Sequence, residues 1–340
     1  IDAAETSEHG LTIPLASGPI RARLYEPVTR PHRTVLLVSG LHPAGINEPR
    51  LVGLARELAA SDLAVVTPDI PELTRFQITP AITDAIEESA LWLAGPSGLS
   101  GNRRIALLGI SFSGGLAIVA AGRPALAPHV AYTFAYGGYD DLPRVLRYLC
   151  TGEEPSLQPG APPIALPPHD YGVAVILLNV ADRIVPADQA GPLREGVRRY
   201  LLASALDSVN PAEAAPEFAA LRELAAQMPE PSATLMRYVN ARDVAHLGRR
   251  LLPLIDEFGR AAALSPSKSP KPVAPVFLLH GSDDNVIPPE ESEFLAHDLA
   301  GHAPVRLLLS DAVSHAQADR ALHLLSAWKL AAFWADLLRR

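Results

Sequence analysis

Six short apolar runs, separated by stretches of helical periodicity, constrain the fold of this chain more than any other feature. The runs are apolar on both faces rather than at alternate positions, as in TVLLVS at 34–39 and LAVVTP at 63–68. A parallel sheet that is covered by helices on both sides requires strands of this kind. The six runs lie at 34–39, 63–68, 105–109, 130–136, 275–280 and 304–309.

The stretches between these runs have the spacing of amphipathic helices. Apolar side chains recur at i, i+3, i+4 and i+7, which places them on one helical face, in the set Leu51, Leu54, Ala55 and Leu58. Residues 20–25 instead alternate polar and apolar side chains, which predicts antiparallel lead-in structure. Strand and helix in repeated succession predict an α/β fold with a doubly wound, mostly parallel sheet.

This succession stops between residues 138 and 271. Prolines cluster near the start of the span, apolar helical patterns follow, and a Ser/Pro/Lys segment closes it at 265–272. Proline clusters discourage regular structure and mark boundaries. We therefore predict a core made of residues 1–137 and 272–340, with an inserted, mainly helical cap at 138–271.

Charge and cysteine content exclude several kinds of function. The chain has 37 acidic and 29 basic side chains and a formal net charge of −8, which disfavours a nucleic-acid partner. Its single cysteine, Cys150, has no disulfide partner within the chain, and no Cys/His cluster has zinc-site spacing. We expect neither a metal nor a cofactor, and the sequence leaves the oligomeric state open.

The start of the chain bears on its location. Because the sequence opens with Ile1 rather than methionine, we expect an upstream segment to have been removed. No apolar run approaches the ~20 residues of a membrane-spanning helix. Both a cytoplasmic location and an exported or anchored one therefore stay open.

The most informative segment is the turn GISFSGG at 109–115, which follows an apolar run and precedes an apolar helical stretch. A serine between small residues on such a strand-to-helix turn is held in a strained conformation with its hydroxyl exposed. Ser111 is therefore the candidate nucleophile. A register with Ser113 as the nucleophile, and a Gly/Ser-rich turn without chemistry, are the alternatives.

This context resembles the α/β-hydrolase superfamily, with Ser113 in place of the usual last glycine of G-x-S-x-G. The resemblance implies an α/β-hydrolase core and an oxyanion loop after the first parallel strand, where Ser39-Gly40-Leu41 replaces the common His-Gly-x. It also implies that the backbone N–H groups of Leu41 and Phe112 are the oxyanion donors. We further consider His42 as a possible pocket residue in that loop.

The resemblance also implies the acid and the base. Members of the superfamily have His-Gly, two variable residues and the acid after a late strand, and here His280-Gly281 leads to Asp284, with Asp283 as a poorer fit. His315, in a loop before the last helical stretch, matches the base. Ser, Asp and His then follow the chain order of this superfamily.

Other carboxylates compete for the role of the acid. Asp182 lies in NVADRIVP at 179–186, which resembles the stretch around Asp284, and some members of the superfamily place the acid earlier. Asp140 and Asp141 directly follow the run at 130–136 and are weaker alternatives.

Taken with the resemblance, these residues predict a serine-dependent carboxylic ester hydrolase that works through an acyl-enzyme. Acyl transfer, thioester or peptide cleavage on the same triad, and a catalytically silent binding protein of the same fold, are the alternatives. The expected partner is a small ester with an apolar acyl or alcohol part, suggested by apolar cap residues such as Val173 and Ile176.

Overall fold

An eight-stranded sheet organises the larger part of the described chain. The structure, a computed structural model, describes residues 5–28, 31, 33–313 and 324–339. The order of the strands across the eight-stranded sheet is β1-β2-β4-β3-β5-β6-β9-β10. These strands are β1 (Thr6–Ile13), β2 (Ile20–Pro27), β3 (Arg33–Val38), β4 (Leu63–Pro68), β5 (Ile105–Ile110), β6 (Val130–Tyr136), β9 (Val276–Gly281) and β10 (Val305–Ser310).

Pairing directions confirm the predicted α/β class with a doubly wound, mostly parallel sheet. β1 pairs with β2 and β2 with β4 in antiparallel fashion, as the alternating lead-in predicts. All later neighbours, from β4 through β3, β5, β6 and β9 to β10, pair in parallel. Parallel neighbours require crossover connections, and helices supply them. The helices near this sheet are α1 (Pro49–Ala60), α2 (Pro71–Thr74), α3 (Pro80–Ala94), α4 (Phe112–Gly122), α12 (Glu290–Asp298) and α13 (Leu324–Leu338).

Side-chain alternation along each strand divides the core between the two faces of the sheet. Phe277 and Leu279 of β9 join a cluster that includes residues of α1 and α13, such as Leu58. Val276 and Leu278 of the same strand join another cluster, with residues of α4 and α12. Successive strand side chains point to opposite faces, so strands covered on both sides are apolar throughout.

Contacts along the chain divide it into two units. The first comprises the described parts of Ile1–Thr74, Thr79–Asp141 and Ala261–Arg340, and the second comprises Arg75–Ile78 and Leu142–Arg260. The cap boundaries inferred from the sequence, at 138 and 271, stay a prediction.

The second unit consists mainly of helices. α5 packs closely on α10 at Cys150 of α5 and Gly248 of α10. A Cβ added to Gly248 would lie only 2.1 Å from the carbonyl oxygen of Cys150. The predicted apolar residues of α6, including Val173 and Ile176, are buried. The elements are α5 (Leu142–Thr151), β7 (Glu153–Glu154), β8 (Ile164–Ala165), α6 (Asp170–Ile184), α7 (Ala187–Asp207), α8 (Pro211–Gln227), α9 (Ser232–Asn240), α10 (Val244–Leu251) and α11 (Ile255–Phe258).

Within the described residues, none of the helices combines the length and the apolar character that a membrane span requires.

The end of α4 is a point of close packing that a stability measurement can test. A Cβ added to Gly122 would lie 1.8 Å from the carbonyl oxygen of Pro270. Gly122→Ala therefore forces backbone to move, and we expect a loss of about 1–3 kcal/mol in the free energy of unfolding, measured by urea titration.

Gly53 provides the matched control. It lies on the exposed side of α1, and an added Cβ would meet nothing within 4 Å. Gly53→Ala should raise the free energy of unfolding by about 1 kcal/mol, because alanine is the better helix former. Equal effects of the two substitutions would contradict the packing described for Gly122.

Candidate functional site

Ser111 occupies the turn between β5 and α4 in a conformation that L-residues rarely adopt. Its backbone has φ of 55° and ψ of −127°. Two hydrogen bonds maintain this turn: the Ser111 N–H donates to the carbonyl of Tyr136 at 2.6 Å, and the Ser111 carbonyl accepts from the Gly114 N–H at 2.8 Å. A non-glycine residue with positive φ is uncommon, and such residues cluster at functional sites.

The glycine before this turn allows the helix to begin directly against the strand. A Cβ added to Gly109 would lie 2.2 Å from the carbonyl oxygen of Ser113. The close approach therefore involves the backbone of Ser113, and its side chain is directed elsewhere. This is why a serine fits at the position where the motif usually has its last glycine.

The two serines of the turn differ in their surroundings. Ser111 is partly exposed at the turn itself. Ser113 is 0% exposed, and its hydroxyl donates to the carbonyl oxygen of Ser39 at 2.6 Å. The Ser113 hydroxyl is thus engaged in the interior, whereas Ser111 is partly exposed.

The loop predicted to hold the oxyanion lies against Ser111. β3 pairs with β5 so that Val38 is opposite Gly109, which brings Ser39 and Gly40 to the edge where Ser111 lies. A Cβ added to Gly40 would lie 3.2 Å from the Ser111 Cβ and 3.8 Å from its Oγ. Leu41 follows directly in this loop and is partly exposed.

Phe112 is the first residue of α4. Backbone N–H groups in the first turn of a helix have no partner within that helix and carry partial positive charge. The Phe112 ring is buried and stacks on Tyr139, with ring centroids 5.6 Å apart. This packing fixes the start of the helix beside Ser111.

Asp284 and Asp283 follow β9 and lie in different environments. Asp284 is 2% exposed, and its Oδ1 accepts hydrogen bonds from the N–H groups of Val286 at 2.9 Å and Ile287 at 3.1 Å. Asp283 is exposed.

A buried histidine supports the loop that carries Asp284. His280 is 0% exposed; its Nε2 lies 2.9 Å from the carbonyl oxygen of Ile287, and its Nδ1 lies 2.6 Å from Ser292 Oγ. A carbonyl only accepts, so Nε2 donates to Ile287, and Nδ1 pairs with the serine hydroxyl. Its Nε2 is also 3.4 Å from Asp284 Oδ2.

The sheet order brings the end of β5 near the end of β9. β6 alone separates them, and adjacent strands are about 4.8 Å apart, so the two ends are separated by about 10 Å. Tyr136, the last residue of β6, belongs to this edge. Burial raises the pKa of its phenol, the nearby carboxylate of Asp284 raises it further, and the guanidinium of Arg50 opposes these effects.

The predicted base, His315, lies outside the described residues. The preceding strand, β10, ends at Ser310 on this same edge of the sheet. The Ser310 carbonyl accepts a hydrogen bond from the Ser282 N–H at 3.1 Å. On the far side of the segment, the Ser326 hydroxyl donates to Asp311 Oδ1 at 2.8 Å.

The rival acids have other partners. Asp182 lies on α6 rather than after a strand, is exposed, and forms an ion pair with Arg194. The Asp141 carboxylate accepts from the Ser267 hydroxyl at 3.0 Å and pairs with Lys268 at 2.9 Å. The backbone N–H of Asp140 donates to the buried carboxylate of Glu291 at 2.8 Å.

His42 stabilises its own loop. Its Nδ1 accepts a hydrogen bond from the Ala44 N–H at 3.2 Å. Burial lowers the pKa of the imidazole, the carboxylate of Glu48 opposes that effect, and the guanidinium of Arg50 adds to it. The neutral ring required for this hydrogen bond is thereby favoured.

Cys150, the single cysteine of the chain, is buried. Burial raises the pKa of the Cys150 thiol to about 12, so this cysteine is not a thiolate at neutral pH. In the part of the chain that the structure describes, no cluster of three or more His, Cys, Asp or Glu side chains could bind a metal ion.

The sequence does not indicate Tyr136 or Ser292 as residues of this edge, because both contribute through long-range contacts. The sequence does predict the loop Ser39-Gly40-Leu41, but no local pattern indicates its contacts with Ser113 and Ser111. The spacing of His-Gly before Asp284 was the one signal that pointed toward the role of His280.

Comparison with known proteins found similar structures, but no match at the level of sequence. No family model matches the sequence, and comparison with curated proteins found no match. A thermostable esterase from Pseudomonas putida ECU1011 has a TM-score of 0.53 at 13% identity, with 100% of this chain and 82% of that chain covered. A hyperthermophilic esterase from Pyrobaculum calidifontis has a TM-score of 0.50 at 19% identity, with 91% and 77% covered.

A third similar structure is vibralactone cyclase, with a TM-score of 0.52 at 13% identity and coverage of 99% of this chain and 81% of that chain. At such low identities these likenesses concern the fold. The parallel sheet order, the Ser111 turn and these structural neighbours together show that the chain has the α/β-hydrolase fold.

Proposed function

We propose that this protein is an enzyme, a carboxylic ester hydrolase in which Ser111 is the nucleophile, Asp284 the acid and His315 the base. The observation that carries the proposal is the left-handed backbone of Ser111 at the start of α4, with Gly40 packed against its side chain. Strain of this kind persists only where surrounding contacts enforce it, and it commonly serves a function.

In the proposed reaction, Ser111 Oγ attacks the acyl carbon of the ester while His315 accepts its proton. The tetrahedral alkoxide then collapses, the C–O bond to the alcohol breaks, and the imidazolium returns its proton to the departing oxygen. A water molecule, deprotonated by His315, hydrolyses the acyl-enzyme. Asp284 orients the imidazole and stabilises its positive charge.

The proposed oxyanion donors are the backbone N–H groups of Leu41 and Phe112. Support comes from the contact of Gly40 with Ser111, since Gly40 is adjacent to Leu41, and from the position of Phe112 at a helix N-terminus. Fixed N–H donors stabilise a developing alkoxide without reorganising, and removal of one donor typically lowers kcat by about 10²- to 10³-fold.

Two of the similar structures are named esterases, which agrees with ester hydrolysis as the proposed activity. We propose a small-molecule ester as the substrate. The apolar residues of α6 are buried within the second unit, so they contribute to packing there. Turnover of esters of graded acyl length would measure the preference for an apolar acyl part.

Replacement of the proposed nucleophile is the direct test. Ser111→Ala should lower kcat on a p-nitrophenyl ester by about 10⁴-fold or more, because no acyl-enzyme can form. A fluorophosphonate probe should label the intact chain at Ser111, mapped by mass spectrometry, and should fail to label the variant. Near-normal turnover by Ser111→Ala would refute the assignment.

The adjacent carboxylates provide a matched pair for the acid. Asp284→Asn should lower kcat by about 10²- to 10⁴-fold, since the amide cannot stabilise the imidazolium. Asp283→Asn, at an exposed site, should leave kcat within about twofold. Thermal unfolding of both variants checks that the effect is on turnover, and the opposite ranking of the two variants would exclude Asp284.

A further inference from the structure

The Ser113 hydroxyl joins two segments that are far apart in the sequence. Its Oγ lies 2.6 Å from the Ser39 carbonyl oxygen, at the short end of O–H···O hydrogen bonds. Ser113 lies in the first turn of α4, and Ser39 directly follows β3. With Ser113 fully buried, water does not compete for this bond.

The acceptor belongs to the peptide group that leads into the proposed oxyanion donor. The Ser39 carbonyl and the Gly40 N–H lie in one planar peptide group, so fixing the carbonyl fixes the orientation of that plane. The next peptide group carries the Leu41 N–H. Glycine is the residue with the largest backbone freedom, so the Gly40 backbone depends on its surroundings for a defined orientation.

The other constraint on this dipeptide comes from Ser111. A Cβ added to Gly40 would lie 3.2 Å from the Ser111 Cβ and 3.3 Å from the Ile110 carbonyl oxygen. Ser111 therefore limits how close Gly40 can approach, while Ser113 holds the preceding carbonyl by a directional bond. The same turn thus contacts Ser39-Gly40 at two places.

We propose that Ser113 is a positioning residue, whose hydroxyl orients the Ser39–Gly40 peptide so that the Leu41 N–H is directed at the alkoxide formed on Ser111. This inference rests on the proposed ester hydrolase function. A glycine at position 113 would supply no donor to the Ser39 carbonyl. The departure from G-x-S-x-G therefore has a physical role in this chain.

The test compares Ser113→Ala with the unsubstituted chain. Misdirecting one oxyanion donor costs less than removing it, so kcat on a p-nitrophenyl ester should fall about 10- to 30-fold, with KM changed less than about twofold. The inhibition constant of an aryl trifluoromethyl ketone, which forms a tetrahedral alkoxide on the serine, should rise in proportion to the loss of kcat/KM. A purely structural role would not produce this proportionality.

Two further variants keep the test interpretable. Ser113→Cys has a similar size and a weak S–H donor, so its kcat should lie between those of the alanine variant and the intact chain. Ser89, on α3, is also 0% exposed, and its hydroxyl has no hydrogen-bond partner among the described residues. Ser89→Ala should leave kcat and the inhibition constant unchanged.

A measurement independent of turnover separates this inference from the proposed function. Hydrogen exchange followed by mass spectrometry should be faster at residues 39–47 in Ser113→Ala than in the intact chain. If the intact chain cleaves no ester and Ser111 takes no fluorophosphonate label, the ester hydrolase proposal fails, and the positioning role fails with it. If the intact chain is active and Ser113→Ala matches it in kcat and in exchange, only the positioning role is overturned.

Discussion

The strained backbone of Ser111 is the constraint on which the rest of this sheet edge depends. A non-glycine residue with φ near 55° costs about 1–3 kcal/mol, and the surroundings must offset that cost. The Tyr136 carbonyl accepts the Ser111 N–H, and every residue of α4 is buried. The turn therefore keeps its conformation because both the neighbouring strand and the following helix fix it.

The parallel strands could be predicted closely because their physical signal is local. The runs at 63–68 and 130–136 coincide with β4 and β6, since residues buried on both faces must be apolar throughout. Some helices of the second unit were harder to anticipate. α5 lies just before a proline-rich stretch, and α9 has only nine residues and directly follows prolines, so neither gives a long periodic pattern.

The site could be predicted only as far as its signal lies in short motifs. The sequence around Ser111 indicates a strand-to-helix turn, and the structure has one there. The bond from Ser113 to Ser39 spans 74 residues along the chain, and the contact of Gly40 with Ser111 depends on the pairing of β3 with β5. No local pattern encodes such contacts, because they follow from strand order and register.

The environment of Asp284 shows why neighbouring carboxylates in one loop are not equivalent. Its Oδ1 accepts hydrogen bonds from two backbone N–H groups, which fixes the plane of the carboxylate. The Ile287 carbonyl, from the residue that provides one of those N–H groups, is in turn bonded to His280. Side chain, loop backbone and buried ring thus form one connected network. Asp283, one residue earlier, is exposed, so the path of the loop gives two residues of the same type different surroundings.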